Sequence, residues 1–366
     1  MSKPGLSSLQ ALRGLAALAV VFHHVLRAVT IKLPASFGLA PSPLLSHPIL
    51  VDLGAMGVDV FFVLSGFLMI YISRPYQQGI KSTGDFLINR LIRVWPLYAV
   101  VTLGVCCLAY YTKPAGGADF DLTPLRLLSV FFVPSFNETG ILQPILGVGW
   151  TLNYEVFFYL VFAAAILIQR KRLLASSAML VAGGYALGAL LPPGSVLRAF
   201  LFNSVILEFL LGAAIATAYL KGSLAAKHAY PCLVAGLIAL ALAAPIPVDD
   251  GFRLVTRGVP AALLFTFVLL SESKIRWPRA LIALGDASYS IYLVHVPVLY
   301  MLAPRVMGKL ARLGYPTIAA EGAALITISA CVAAGWLCHV VLEKPLTHLV
   351  KHLYHHARGG AATAAA

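Results

Sequence analysis

Arg13 and His24 stand 11 residues apart in the run LQALRGLAALAVVFHHV, which is otherwise mostly apolar. At about 100° per residue this interval is three turns plus roughly 20°, so a helix carries both side chains on one face. The rise of about 1.5 Å per residue puts roughly 16 Å between them. One helix face therefore holds a fixed cation at one level and a proton-accepting ring at another. Further runs add groups of matching chemistry. GVDVFFVLSGF contains Asp59, able to orient an imidazole or stabilise its charged form, and Ser65 beside Gly66, a small-residue notch. NRLIRVWPLY places Arg90 and Arg93 on one helical face, the arrangement of a phosphate clamp, with Tyr98 following. GWTLNYEVFFYL gathers Trp150, Asn153, Tyr154 and Glu155, the last a second acid–base candidate, and SYSIYLVHVPVLY carries His295 just beyond Tyr292.

An ionisable group inside an apolar segment costs about 2.5–3.5 kcal/mol on insertion scales, so each of these needs a function or a partner. Each also has a structural alternative. Arg13 reaches the headgroup region, Arg90 and Arg93 anchor a helix end, Asp59 and Glu155 form ion pairs, Ser65 with Gly66 packs helices, and His295 and Glu208 bond neighbouring helices. His348, His352 and His355 or His356 follow helical spacing in a basic tail, which reads as an amphipathic helix on anionic lipid rather than a metal site.

The elements that position these groups follow from composition. Of 366 residues, 60% are hydrophobic and 11% charged, against roughly half and a quarter in a soluble domain, which excludes a soluble globule. Apolar stretches at 9–25, 53–72, 91–111, 148–168, 173–191, 196–219, 229–244, 252–270, 289–303 and 319–342 predict an all-α polytopic membrane protein of about ten spans. The eighth is the weakest, because Arg253, Arg257 and Pro260 fall near its start. Residues 1–343 form the membrane domain, and 344–366 a basic tail with a low-complexity, disordered end. The formal charge of +13 lies mainly in loops, which points to lipid and not nucleic acid. Seventeen of the 27 Lys and Arg fall on one side if both termini are cytoplasmic, with QRKR at 169–172 the sharpest local element. Outer loops then span 27–51 and 112–147, the second with an apolar LLSVFFV segment suited to the membrane surface. The five cysteines sit in apolar runs as packing residues.

In this order, LQALRGLAALAVVFHHV, GVDVFFVLSGF, RLIRVWPLY, GWTLNYEVFFYL, LGDASYSIYLVHVPV and VLEKPL resemble the motif blocks of the family 3 membrane acyltransferases, from the first span to the last. The GVGWTLNYE block is most similar to the exopolysaccharide acetyltransferase branch, although Gly149 precedes Trp150 where many relatives have His or Phe. No esterase-like domain follows the membrane unit, so acyl handling is expected within it. The resemblance implies a bacterial inner-membrane O-acyltransferase that moves an acyl group, commonly acetyl from acetyl-CoA, to a hydroxyl of an extracytoplasmic saccharide or lipid-linked saccharide, alongside polysaccharide-biosynthesis proteins. It implies no metal. Arg13, Ser65, Arg90, Arg93 and Tyr98 are then expected on the donor, with His24 as general base grouped with Asp59 and Glu155. Trp150, Asn153, Tyr154 and His295 are expected on the acceptor. From the residues alone, a proton-coupled transporter or flippase uses the same intramembrane groups, and a non-catalytic partner of polysaccharide export also remains.

Overall fold

Apolar sequence in lipid must satisfy every backbone N–H and C=O internally, and this chain does so as helix. The computed structural model describes residues 6–364 except 38–41, 43–44, 46, 113–122, 244–245, 247–251 and 316–317. The principal helices are α1 (Ser7–Arg27), α2 (Pro48–Tyr71), α3 (Thr83–Thr112), α4 (Trp150–Gln169), α5 (Leu173–Leu190), α6 (Glu208–Leu220), α7 (Ala229–Ala243), α8 (Val259–Leu270), α9 (Arg279–Asp286), α10 (Ser288–Arg312), α11 (Ala319–Cys338) and α12 (Lys344–Ala364). Among the described residues nine apolar helices are long enough to cross a membrane, and Leu254–Leu270 is a shorter apolar helix. The short one is the weak eighth stretch. Arg253 turns inward to an ion pair, residues Leu254–Gly258 form a π-turn, and Pro260 sits in the first turn of α8.

Both ends of the described chain lie at one end of the bundle, here called the lower end. Glu272, in the turn after α8, caps α1: its carboxylate accepts from the Ser7 N–H at 3.0 Å, the Ser8 N–H at 2.7 Å and the Ser7 hydroxyl at 2.6 Å. Partial burial works to raise the Glu272 carboxyl, but these hydrogen bonds outweigh it and hold the group below the ordinary carboxylate range. At the other terminus the Tyr354 hydroxyl of α12 donates to Asp85 at 3.2 Å, beside the start of α3. α12 continues α11 through a π-turn at His339–Glu343, where Glu343 accepts from Ser290 at 2.6 Å and pairs with His339 at 2.7 Å. The basic tail is thus helical to Ala364.

α2 lies at the centre, packed on α1, α6 and α8. Its crossing with α6 depends on two glycines: a Cβ at Gly66 would lie 1.9 Å from the Phe209 carbonyl oxygen, and one at Gly212 would lie 1.8 Å from that of Val63. Close backbone approach of this kind is how membrane helices associate without a hydrophobic driving force. The notch at Ser65–Gly66 therefore has two faces, Gly66 for packing and Ser65 for the interior. Gly66→Ala forces backbone apart from backbone, with no flexible side chain to yield, and is expected to destabilise the fold by about 3 kcal/mol. A detergent melting curve for Gly66→Ala superimposed on the parent's would refute this.

A second core forms where α1, α10 and α11 meet, with Val21, Val25, Ile291, Leu299, Ala323 and Cys331 buried together. All five cysteines are free; Cys106, Cys331 and Cys338 are buried as packing residues, whereas Cys107 is exposed and Cys232 half-buried. The LLSVFFV segment follows one helical turn, Pro124–Leu127, and forms a 3₁₀ turn, Leu128–Phe131. α3 holds it in place: the Trp95 indole donates to the Val130 carbonyl at 3.1 Å, and Phe131 remains 62% exposed, suited to the lipid interface. Residues 113–122 of that outer loop lie outside the described residues.

Candidate active site

Five helices converge on a narrow cavity of about 90 Å³ in the lower half of the bundle. α1 contributes Arg13, α2 contributes Phe61, Phe62 and Ser65, α3 contributes Arg90 and Arg93, α4 contributes Thr151, Glu155 and Tyr159, and α10 contributes Tyr289 and Tyr292. Arg90 and Arg93 meet here because three residues on a helix bring side chains to one face. The Arg90 guanidinium rests over the Phe86 ring at 5.8 Å, and Arg13 donates to Gln10 at 2.9 Å. Three guanidinium groups against one carboxylate, Glu155, leave the lining with a net charge of +2, which suits a ligand with more than one negative charge.

Glu155 sits with the arginines and not with His24. Its carboxylate accepts from Ser65 at 3.3 Å and from the Tyr159 hydroxyl one turn further along α4. The expected grouping of His24, Asp59 and Glu155 thus separates into three places. Asp59 and Glu208 are fully buried and share Arg253, whose guanidinium nitrogens lie 2.9 Å from Asp59 and 3.5 Å from Glu208. Arg253 also lies over the Trp150 ring at 5.6 Å. The cation that faces Asp59 comes from the weak eighth stretch, so the carboxylate points toward α6 and the Arg253 turn and forms an ion pair there. Arg253 is the residue that sequence reasoning missed. Its signal was an arginine at the start of an otherwise apolar segment.

His24 lies further up α1, beyond the cavity, against α10. Its Nδ1 is 3.0 Å from the Val20 carbonyl oxygen and 3.3 Å from Nε2 of His295. His295, expected on the acceptor, is fully buried, lines neither of the two cavities described, and stands against His24. Tyr98, expected on the donor, is likewise absent from the lining. It is buried, donates to the Ser129 carbonyl at 3.0 Å and stacks on Phe132 with ring centroids 4.9 Å apart, clamping the outer loop onto α3. A Cβ at Gly149 would lie 2.7 Å from the Tyr98 hydroxyl, which explains glycine before Trp150 in this chain.

At the upper end a second, wider cavity of about 550 Å³ opens between the loop at Phe136–Gln143 and the segment at Gly194–Asn203. Trp150, Tyr154, Phe136 and Phe202 supply aromatic rings, and Gln143, Ser195 and Asn203 supply polar groups. Tyr154 is held rigid by stacking on Phe200, with centroids 4.5 Å apart. Asn153, one residue away, is buried outside both cavities, with an Oδ1 that accepts no hydrogen bond among the described residues. Trp150 stands between the two cavities, edge-on to Phe62, which lines the lower one.

A helical membrane bundle with a buried, cationic interior cavity and a histidine pair above it defines a class of intramembrane site, and similarity identifies the class. The acyltransferase domain family matches residues 6–350, so the chain belongs to the family 3 membrane acyltransferases. It is 34% identical to the exopolysaccharide production protein ExoZ of Rhizobium meliloti (strain 1021), an alignment covering 80% of this chain and 90% of that one. It is 30% identical to the acyltransferase MdmB of Streptomyces mycarofaciens over 94% of this chain and 92% of that one. A putative peptidoglycan O-acetyltransferase, YrhL of Bacillus subtilis (strain 168), is 26% identical over 80% of this chain and 50% of its own length. No solved structure is significantly similar.

Proposed function

We propose that this membrane acyltransferase carries an acetyl group from cytoplasmic acetyl-CoA to a hydroxyl of a saccharide or lipid-linked saccharide on the outer side of the bacterial inner membrane. The observation that carries the reading is the cationic lower cavity, with His24 roughly 16 Å above Arg13 on the same helix. The lower end then faces the cytoplasm, in keeping with the positive loops there. Arg13, Arg90 and Arg93 hold donor phosphates, and the cavity of about 90 Å³ is too small for the nucleotide, which stays at the mouth.

The upper cavity receives the acceptor. Rigid rings at Trp150 and Tyr154 offer faces to the C–H side of a sugar, and Gln143 and Asn203 offer amides to its hydroxyls. His24 takes the proton of the attacking hydroxyl as its oxygen bonds to the acyl carbon. The bond from that carbon to sulfur breaks, and the proton returns to the departing thiol. Glu155, sharing its cavity with the three arginines, balances their charge and holds Ser65 and Tyr159.

Arg93→Ala removes one charge-assisted contact, worth about 1.5–3 kcal/mol, and is expected to raise the acetyl-CoA KM roughly 10- to 100-fold with little change in the acceptor KM. Label transfer from acetyl-CoA to saccharide in membranes carrying the purified protein supplies both constants. Absence of transfer together with movement of labelled saccharide across the membrane would replace this reading with a transporter. Unchanged donor dependence in Arg13→Ala, Arg90→Ala and Arg93→Ala alike would remove the phosphate clamp.

A further inference from the structure

His295 belongs to neither cavity, yet it is fully buried against a histidine that the proposed reaction needs as a base. Its two ring nitrogens are occupied in a definite sense. Nδ1 lies 2.7 Å from the Tyr292 carbonyl oxygen in its own helix. A carbonyl oxygen only accepts, so His295 Nδ1 carries a hydrogen, and the neutral ring then keeps a lone pair on Nε2. That lone pair faces His24 Nδ1 at 3.3 Å. His24 Nδ1 also lies 3.0 Å from the Val20 carbonyl oxygen. Both partners of His24 Nδ1 are acceptors, so that nitrogen carries the hydrogen.

We infer that His295 is a positioning residue for the acyl transfer: together with the Val20 carbonyl it locks His24 as the Nδ1–H tautomer and so leaves Nε2 as the basic nitrogen that meets the acceptor hydroxyl. The inference rests on the proposed role of His24. The chemistry is that of a base oriented by a third group, with a neutral imidazole where a hydrolase triad uses a carboxylate. A neutral orienter fits this depth, because a second carboxylate buried here would need a cation of its own. Asp59, the sequence candidate for the orienting task, is committed to Arg253 instead. Among the described residues no group of three or more His, Cys, Asp or Glu is placed to hold a metal ion.

The arrangement also explains why His295 sits where it does. α10 packs on α1 in the second core, and Cys331 of α11 donates its thiol to the His295 carbonyl at 3.4 Å, bracing the backbone behind the ring. The Tyr292 hydroxyl, one turn before, donates to the Val148 carbonyl at 3.0 Å and lies 2.8 Å from Thr151 Oγ1. The helix that carries His295 is therefore tied to α4 and to the segment preceding it, next to Trp150 at the mouth of the proposed acceptor cavity.

His295→Phe fills the space but offers no acceptor. It is expected to lower kcat about 10- to 100-fold, the usual cost of losing an orienting partner, with the acetyl-CoA KM unchanged. His295→Gln can bring an amide oxygen to the position of Nε2 and is expected to recover most of that turnover. ¹⁵N NMR of histidine-labelled protein in detergent, with the His24 signals assigned from His24→Gln, reads the tautomer directly. The parent should show His24 protonated at Nδ1 and bare at Nε2, and His295→Phe should show the Nε2–H form appearing. Parental kcat in His295→Phe, or a His24 tautomer that is Nε2–H in the parent or unmoved by His295→Phe, overturns the inference. If His295→Phe melts below the assay temperature, His295→Gln and the tautomer of the parent still decide it. Failure of the parent to transfer acetyl groups would instead sink the proposed function, and the tautomer measurement stands apart from that outcome.

Discussion

His24→Gln, folded and inserted, is expected to lose turnover by about 10²- to 10⁴-fold while its acetyl-CoA KM stays close to the parent's. Glutamine preserves the shape and one hydrogen bond of the ring but cannot take up and return a proton, so the substitution separates proton transfer from positioning. Donor affinity should survive because the cations proposed to hold the phosphates lie in the lower cavity, roughly 16 Å below His24 along α1, and the cavity lining does not include His24. The measurement is initial-rate acetyl transfer with donor and acceptor varied independently. Turnover within a few fold of the parent would end the assignment of His24 as the base. Glu155 would not simply take its place, because that carboxylate lies among the arginines at the donor level and already accepts from Ser65 and Tyr159. A base serving the acceptor would then have to be sought around the upper cavity.

The helices and their approximate limits are legible in this sequence because lipid leaves a chain few options: a run of about 20 apolar residues spans as helix, and polar breaks mark the turns. The arginine cavity is legible in part for the same reason. Arg90 and Arg93 share a face by local periodicity, and Arg13 shares its face with His24 by the 11-residue interval. What periodicity cannot give is which face of one helix meets which face of another. α2 turns Asp59 toward Arg253, and Glu155 lies among the arginines at the donor level and not at the outer level expected for it, so neither meets His24. Tyr98 illustrates the same limit. Five residues beyond Arg93 it has turned away from the cavity to the outer loop, where Ser129 and Phe132 hold it. His295 was legible as an unusual group in an apolar helix, while its partnership with His24 required the packing of α10 on α1.

The second large effect lies outside the proposed chemistry. Asp59 and Glu208 are fully buried, and Arg253 is the cation within ion-pair distance of both, reaching 2.9 Å from one and 3.5 Å from the other. Replacing such a triad with neutral groups of similar size is often harmless, whereas removing the one cation leaves two carboxylates in the interior of the bundle. Arg253→Met is accordingly expected to destabilise the protein by about 3–5 kcal/mol, read as a lower unfolding midpoint in detergent. It should also release the Trp150 ring that Arg253 now covers, weakening acceptor use in whatever fraction remains folded. Adding Asp59→Asn and Glu208→Gln to Arg253→Met removes the stranded charge and should restore most of the lost stability. Acceptor dependence should stay impaired, since the cation over Trp150 is still missing. A parental unfolding midpoint for Arg253→Met alone would show that the carboxylates do not depend on this cation, and the triad would lose its part in holding α2, α6 and the Arg253 turn together.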